Sequence, residues 1–359
     1  MHRPLGPRVS EDRVVVGAFP DATWSELPSP GAAGWDAERL AEARGIARGA
    51  DSTALFVIHR GRVVLAHGAV ERPFAVASVR KSLLSALYGI YVGEGRIDLA
   101  TTLEQLGIDD VEPCLTTDEK QATISDLLKS RSGVYHPSNA TTDYERAQIP
   151  PRGSHKPGAY WCYNNWDFNA LGTIFEQLVG RSLFLELADR ISAPIGMQDF
   201  TSDDGWYFGK HLSKHPAYHV SMSARDLARF GLLFQNGGRW RDIQIVPALW
   251  VADSTRAHSA TPLGMGYGYM WWTGLSKTVR TAAEEQSFSA RGYRGQLCHV
   301  FPALDLVFVH RYVGRDDADH GVSHIKINQM LDLILAARPT DPVCQNGAGS
   351  AEAVSLTTG

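Results

Sequence analysis

The sequence is poor in cysteine and in net charge. Its 359 residues include only four cysteines, none of them in a C-x-x-C pair: Cys114, Cys162, Cys298 and Cys344. Neither a zinc site nor a dithiol redox centre is indicated, and we expect reduced, structural cysteines without metal or cofactor. With 35 basic and 39 acidic residues, the net charge is -4. This is too near neutrality for the basic field that nucleic-acid or anionic-membrane binding needs. A small-molecule partner is favoured.

Long hydrophobic runs are also missing. The only apolar run near the N-terminus, Val14 to Phe19, is too short for a signal-peptide core, and nothing later approaches a membrane span. If Met1 is the true start, we expect a cytoplasmic protein, and a role in the cell wall is disfavoured.

The overall composition is that of a folded protein. Hydrophobic residues make up 44% and charged residues 21% of the chain, which speaks against disorder, collagen and coiled coil. At one domain per roughly 150 residues, the length allows two or three lobes.

Hydrophobic periodicity predicts strands at both ends of the chain and helices between them. The expected strands are Thr53–His59, Arg62–His67, Gln286–Ala290, Gln296–Phe301 and Asp305–Arg311. The expected helices are Trp35–Arg48, Leu83–Val92, Ile124–Leu128, Phe168–Leu178, Ala224–Phe234 and Val322–Ala337. The strands Thr53–His59 and Arg62–His67 flank the short turn Arg60-Gly61, which is a hairpin signal.

This order predicts an α/β (α+β two-lobe) fold, an antiparallel sheet flanked by helices with an inserted all-helical lobe. The expected division is a lead-in at 1–34, a sheet lobe from 35–74 and 256–338, a helical lobe at 75–255 and a disordered tail at 339–359. A cleft is expected where the lobes meet.

Ser78 and Lys81 form an S-x-x-K tetrad at the start of an apolar helical run. Residues three apart share a helix face, so the Lys81 amine can reach the Ser78 hydroxyl, and the helix N-terminus offers backbone N–H groups. Burial would lower the lysine pKa and let a neutral amine accept the serine proton. A second tetrad, Ser323 to Lys326, lies within the closing helix, where Lys326 reads as a solvated side chain.

Companion segments favour the first tetrad. Tyr163-Asn164-Asn165 stands in the run from Lys156 to Gly172, with Pro-Gly before the tyrosine and Leu-Gly after it. This run resembles the Y-x-N segment of the class C β-lactamase-like serine hydrolases, which include esterases, amide hydrolases, D-aminopeptidases and transacylases. Further segments resemble the same superfamily, over about residues 35 to 337: Gly93–Leu99, Ile124–Gly133, Met222–Leu233 and Gly266–Trp272.

The resemblance implies a role for each matching residue. Ser78 would be the nucleophile, Lys81 its partner and Tyr163 the acid or base that carries the proton to the leaving group. Asn165 would hydrogen-bond Lys81 and the substrate. Whether Lys81 or Tyr163 takes the first proton stays open. The competing interpretation makes Tyr163 a core aromatic and Asn165 a helix cap.

The third motif of the superfamily, Lys-Thr-Gly or His-x-Gly on a strand, is altered in this chain. Lys277-Thr278 is followed by Val279 where a glycine is needed. The better match is Ala290-Arg291-Gly292-Tyr293, which puts alanine at the cation's position.

The missing cation argues against β-lactam or D-Ala carboxylate substrates. Arg291 or Arg294 could supply positive charge, although only one strand parity faces a cleft. Gly292 is kept, and the backbone N–H groups of Ser78 and Tyr293 are the expected oxyanion hole.

Two further patterns, one of histidines and one of tryptophans, allow other interpretations. His211, His215 and His219 have i, i+4, i+8 spacing, but Pro216 disrupts a continuous helix, so cleft residues in a loop are favoured over a metal site. Four tryptophans could wall an apolar acyl pocket, at least half of them being core: Trp161, Trp166, Trp271 and Trp272.

The sequence thus predicts a serine hydrolase or transacylase that acts on a small-molecule amide or ester, with water or an amine as acceptor. Three alternatives remain: a catalytically weak acyl-binding sensor on the same scaffold, a true β-lactamase or D-aminopeptidase, and a metal-dependent hydrolase. The cleft loops Tyr135–Pro157 and Ser202–Val220 would set specificity. Oligomeric state is left open.

Overall fold

The computed structural model describes residues 18–209, 211–276, 281–314 and 319–339. The Lys277-Thr278-Val279 candidate, most of the expected tail and the first half of the lead-in lie outside the described residues.

An eight-stranded antiparallel sheet is drawn from two distant parts of the chain. Its strands are β1 (Ala54–His59), β2 (Arg62–Gly68), β8 (Ser259–Ala260), β9 (Gly266–Tyr267), β10 (Trp272–Thr273), β11 (Phe288–Gly292), β12 (Gln296–Phe301) and β13 (Leu306–Arg311). Their order is β2-β1-β13-β12-β11-β10-β9-β8. All five strands expected from the sequence are present, with ends shifted by up to two residues. At the hairpin turn, Arg60 and Gly61 both have positive φ, 50° and 74°, as a type I′ turn requires.

Helices cover both faces of this sheet. They are α1 (Ala37–Gly49), α2 (Arg80–Gly93), α3 (Leu103–Leu106), α4 (Ile124–Leu128), α5 (Asp143–Gln148), α6 (Asn165–Val179), α7 (Leu183–Leu187), α8 (Ala193–Ile195), α9 (Ala224–Gln235), α10 (Ala248–Ser254), α11 (Ala282–Glu285) and α12 (His324–Ala337). The apolar sides of α1 and α12 form one core with one face of the sheet, and α2, α6 and α9 form a larger core with the other. The α/β fold predicted from the sequence is confirmed.

The inserted lobe contains strands as well as helices, so its description as all-helical was wrong. A three-stranded sheet of order β3-β5-β4 comprises β3 (Phe74–Ala75), β4 (Gly205–Phe208) and β5 (Ala217–Met222), and β6 (Arg239–Trp240) pairs with β7 (Ile243–Gln244). The segment Ser202–Val220, expected to be a loop, supplies β4 and most of β5. Pro216 stands just before β5, where a proline at a strand start costs no ladder hydrogen bond.

Two smaller features bear on the sequence expectations. The search for a helix long and apolar enough to cross a bilayer finds none in the described part of the chain. Cys162 and Cys298 are buried free thiols, whereas Cys114 is an exposed free thiol.

Candidate active site

Ser78 lies in the tight connection between β3 and α2. It is the middle residue of a single 3₁₀ turn, Ala77–Val79, directly before the first residue of α2. Ala77 has a φ of 48°, a left-handed conformation that is uncommon for a residue with a side chain. The strained turn places the Ser78 hydroxyl at the N-terminal end of a buried helix, where backbone N–H groups lack helical partners.

Arg311 of β13 fixes the segment that leads to Ser78. Its fully buried guanidinium donates to the carbonyl oxygens of Met222, Phe74 and Ala75 at 2.7, 2.8 and 3.2 Å. These bonds tie β3 and β5 to the central sheet. The position of Ser78 is therefore set by the sheet as well as by α2.

Lys81 joins the serine to the tyrosine. Its Nζ atom lies 2.8 Å from Ser78 Oγ and 2.6 Å from the Tyr163 hydroxyl, and the residue is 2% exposed. Burial, aided by the positive charge of Arg80, holds the pKa of Lys81 well below its usual 10.5. The S-x-x-K prediction of a buried amine within reach of the serine thus agrees with the geometry.

Tyr163 is held in place by the turn that follows α4. Ser130 accepts a bond from the Cys162 backbone N–H through its carbonyl (3.0 Å), and its hydroxyl donates to the Cys162 carbonyl (2.7 Å). The same hydroxyl oxygen accepts from the Asn164 N–H at 3.2 Å. The Asn164 side chain caps α6, accepting from the Trp166 N–H at 3.1 Å. Tyr163 is thereby pinned on both sides, and the helix cap is Asn164 and not Asn165.

Burial also determines the protonation of Tyr163. Desolvation raises the pKa of its hydroxyl well above the usual value of 10, and a hydrogen bond with Ser78 opposes this shift only in part. A lowered lysine pKa beside a raised tyrosine pKa favours a neutral amine and a protonated phenol. The pair can then accept a proton at Lys81 and donate one from Tyr163.

The four tryptophans divide as the sequence suggested. Trp166 and Trp271 are fully buried in the core. Trp272 stacks on Tyr163 with ring centroids 5.6 Å apart, and Trp161 packs edge-on against Trp272 at 6.1 Å. Half of the set therefore forms an aromatic wall beside the tyrosine.

Asn165 differs from the expectation in one respect. Its Nδ2 donates to the Ala140 carbonyl at 3.1 Å and to Glu145 Oε2 at 3.2 Å, while its buried Oδ1 has no hydrogen-bond partner within the described residues. The expected bond to Lys81 is therefore absent. The physical reason is that the amide is oriented by the carboxylate of Glu145, and its oxygen is left as an acceptor.

Glu145 is a residue of the site that sequence reasoning missed. It belongs to none of the superfamily motifs, although it lies in the expected cleft loop Tyr135–Pro157. Its carboxylate acts electrostatically on Lys81 and Tyr163 and raises the pKa of both. The available signal was the capping box Thr142-x-x-Glu145, which starts α5 and fixes the carboxylate.

His219 was assigned to a loop but lies on β5. Its ring stacks on Trp206 with centroids 5.5 Å apart. Burial, together with the charges of Arg80 and Lys81, lowers the pKa of His219 to about 3. The imidazole is therefore a neutral group that lies within the electrostatic influence of Lys81.

Gly292 brings the end of β11 against the serine turn. A Cβ at this position would lie 2.6 Å from the Val76 carbonyl oxygen and 3.0 Å from the Ser78 backbone nitrogen. Only glycine permits this approach. Because Tyr293 follows directly, the geometry is compatible with an oxyanion hole between the N–H groups of Ser78 and Tyr293, which stays a prediction.

The strand position where the superfamily carries a lysine or histidine is occupied by a buried alanine, Ala290. Ala290 is fully buried and pairs with Cys298 in the sheet. It lies on the sheet face that packs against α2 and α9, in the larger of the two cores.

Arg291 is not brought to Ser78, so its proposed contact with substrate there is not supported by the geometry. Its Nε donates to Ser289 Oγ at 2.8 Å, and its charge lowers the pKa values of His299 and His324. Neighbouring strand residues point to opposite faces of a sheet. Gly292 lies against the serine turn, so the side chain of Arg291 points to the other face. The guanidinium therefore lies on the α12 side of the sheet.

Arg294 also points elsewhere. Its guanidinium lies 5.4 Å from the ring centroid of Tyr293 and packs so closely on the chain at Gly314 that a Cβ there would meet it at 2.2 Å. Neither arginine replaces the missing cation on the serine side.

The three spaced histidines do not converge. His215 is buried against Trp166 with its Nδ1 3.1 Å from Thr173 Oγ1, while His211 is exposed and His219 stacks on Trp206. Among the described residues, no group of three or more His, Cys, Asp or Glu side chains is arranged to hold a metal.

The second S-x-x-K tetrad has a structural role. Ser323 is the N-cap of α12, its hydroxyl accepting from the Lys326 N–H at 3.4 Å, and Lys326 is exposed. This confirms the interpretation of Lys326 as a solvated side chain.

Comparison with known proteins agrees with this geometry. The Beta-lactamase family model matches residues 37–311, well over half of the chain. The chain belongs to the Beta-lactamase family. Members of this family are serine hydrolases, and several similar solved structures are described as hydrolases.

Three solved structures illustrate the shared fold. A protein from Bacillus anthracis described as a 6-aminohexanoate-dimer hydrolase superposes with a TM-score of 0.62 at 21% identity, covering 82% of this chain and 80% of that one. A D-stereospecific amidohydrolase from a Streptomyces species gives 0.59 at 17%, covering 82% and 98%. The hydrolase EstCE1, described as having promiscuous acyltransferase activity, gives 0.59 at 14%, covering 83% and 98%. At these identities the likeness concerns the fold.

Proposed function

We propose that this Beta-lactamase family protein is a serine hydrolase or acyltransferase that cleaves an amide or ester of a small molecule through an acyl-enzyme on Ser78. One observation carries the proposal: Lys81 Nζ lies within hydrogen-bond distance of both Ser78 Oγ and the Tyr163 hydroxyl, in a site that favours the neutral amine.

The arrangement supports a balanced sequence of proton transfers. The Ser78 hydroxyl gives its proton to Lys81 as Oγ bonds to the substrate carbonyl carbon, whose oxygen becomes an oxyanion. Tyr163 then protonates the leaving group and recovers a proton from the Lys81 ammonium as the acyl bond breaks. Water, or a small amine, attacks the acyl-enzyme by the reverse path and regenerates Ser78.

The charges around the cleft indicate the kind of substrate. Ala290 offers no cation, Arg291 lies on the opposite sheet face, and Glu145 places a carboxylate near the reacting groups. A substrate carboxylate would gain no ion pair there and would be repelled by Glu145. We therefore propose a neutral or cationic acyl substrate over a β-lactam or a D-Ala carboxylate.

Acylation of Ser78 is the step to test. A series of p-nitrophenyl acyl esters should release p-nitrophenol catalytically, and intact-mass spectrometry after rapid quenching should show one added acyl group. Ser78→Ala should lose the adduct and at least about 10³-fold in turnover, as loss of a nucleophile does. Ser323→Ala, the serine of the second tetrad, is the matched control and should keep both. Full activity in Ser78→Ala would refute the proposal.

The closed cation position also favours a second candidate, an acyl-binding sensor that reacts once and does not turn over. The two differ in the fate of the adduct. A persistent Ser78 adduct with no release of acid over hours would support the sensor, and repeated turnover would exclude it. Adding a primary amine and identifying the products separates hydrolysis from acyl transfer.

A further inference from the structure

Arg80, inside the S-x-x-K tetrad, is a buried arginine with no carboxylate partner among the residues that the structure describes. It is the first residue of α2 and is 3% exposed. Its Nη2 donates to Asn169 Oδ1 at 3.2 Å, and its guanidinium lies 4.2 Å from the ring centroid of Tyr218. Within the described residues, Nη1 has no hydrogen-bond partner and the side chain forms no ion pair.

Such a placement is costly. An arginine stays charged in proteins, and buried charges are normally paired because desolvation is expensive. A neutral amide and one aromatic ring compensate this charge only in part. A buried polar group with an unsatisfied donor calls for an explanation, and here it stands beside the catalytic lysine.

The positive charge of Arg80 affects the groups that would take part in the reaction. Arg80 acts electrostatically on Lys81, Tyr163 and His219, in each case lowering the pKa. It thereby favours the form of each group that can accept a proton.

Four other groups near Lys81 also affect the pKa of Lys81 or Tyr163, or carry a titratable side chain. Glu145 on α5 opposes Arg80, and Tyr218 on β5 raises the pKa of Tyr163. Ser78 hydrogen-bonds Tyr163 and lowers its pKa. His219, whose pKa is lowered to about 3, is neutral near pH 7. Among these groups, the permanent positive charge belongs to Arg80.

We propose that Arg80 is a positioning residue whose buried, unpaired positive charge at the start of α2 keeps the Lys81–Tyr163 pair able to take the Ser78 proton. This inference rests on the proposed serine mechanism. It holds whichever of Lys81 and Tyr163 is the first base, because a nearby positive charge favours the proton-accepting form of both.

The test is the pH dependence of kcat/KM for a neutral p-nitrophenyl ester. The acidic limb is the rise of kcat/KM with pH on the acid side of the profile. In Arg80→Met this limb should move to higher pH by about one unit. Below the limb kcat/KM should then be roughly tenfold lower, since one pH unit corresponds to a tenfold change in the proton-accepting fraction. Arg80→Gln, which can still bond Asn169, repeats the neutral substitution if the methionine variant does not fold.

Arg229, which is 1% exposed and donates to the Ile195 carbonyl at 2.9 Å, is the matched control. Arg229→Met should lower stability and leave the limb in place. An unchanged limb in the neutral Arg80 variants would overturn the inference, even if their activity fell uniformly as expected for lost packing. Ser78→Ala measured alongside separates the two proposals, because its retained activity would refute the serine mechanism itself.

Discussion

The two S-x-x-K tetrads of this chain share a spacing and differ in everything that chemistry requires. Ser78 and Lys81 are joined by a 2.8 Å contact in a buried site. Ser323 caps a helix, and Lys326 is exposed to solvent. Both serines precede a helix. The difference is the third partner, Tyr163, and the low-dielectric surroundings that change the protonation of the lysine. The spacing alone does not bring the two side chains together, and it is burial that lowers the pKa of Lys81 and favours an amine able to accept a proton.

Exchanging each lysine for methionine tests this difference most strongly. Lys81→Met should lower kcat/KM by about 10²–10⁴-fold, the usual contribution of a general base, because Ser78 loses its proton acceptor. Lys326→Met should leave the rate unchanged, since the residue is solvated and distant from the reaction. Steady-state kinetics on one acyl ester measures both. Equal losses would show that burial does not distinguish the tetrads.

Glu145 provides a smaller and finer test. Its carboxylate raises the pKa values of Lys81 and Tyr163, so Glu145→Gln should lower both and move the acidic limb of kcat/KM to lower pH, with a few-fold gain in activity below the limb. Glutamine can keep the capping bonds to Thr142. Asp143→Asn is the control on the same helix, because that side chain is 97% exposed, and it should not move the limb. A shift to higher pH in Glu145→Gln would contradict the electrostatic account.

Much of the fold could be predicted because local patterns agree with the tertiary structure. The apolar runs that became β1, β12 and β13 are buried on both faces of the central sheet. Strands β4 and β5 were missed, because β4 presents exposed aromatic residues and a proline precedes β5.

The site was predictable where motif residues are close in sequence or approach the backbone tightly, as at Ser78, Lys81 and Gly292. The orientation of Asn165 was not predictable, since it depends on a hydrogen bond to Glu145 across 20 residues. The direction of Arg291 was not predictable, because the expected strand ended at Ala290, whereas β11 continues to Gly292 and includes Arg291. The role proposed for Arg80 was not predictable either, because it depends on the burial of the guanidinium without an ion-pair partner in the described part of the chain.

Burial is expected to keep the Lys81 amine neutral beside Ser78. The most direct test is an NMR titration of the ¹³Cε signals of the lysines, with Lys81→Met used to assign the Lys81 signal. The account predicts that Lys81 titrates well below the usual lysine pKa of 10.5. A Lys81 signal that titrates at or above 10.5 would contradict it.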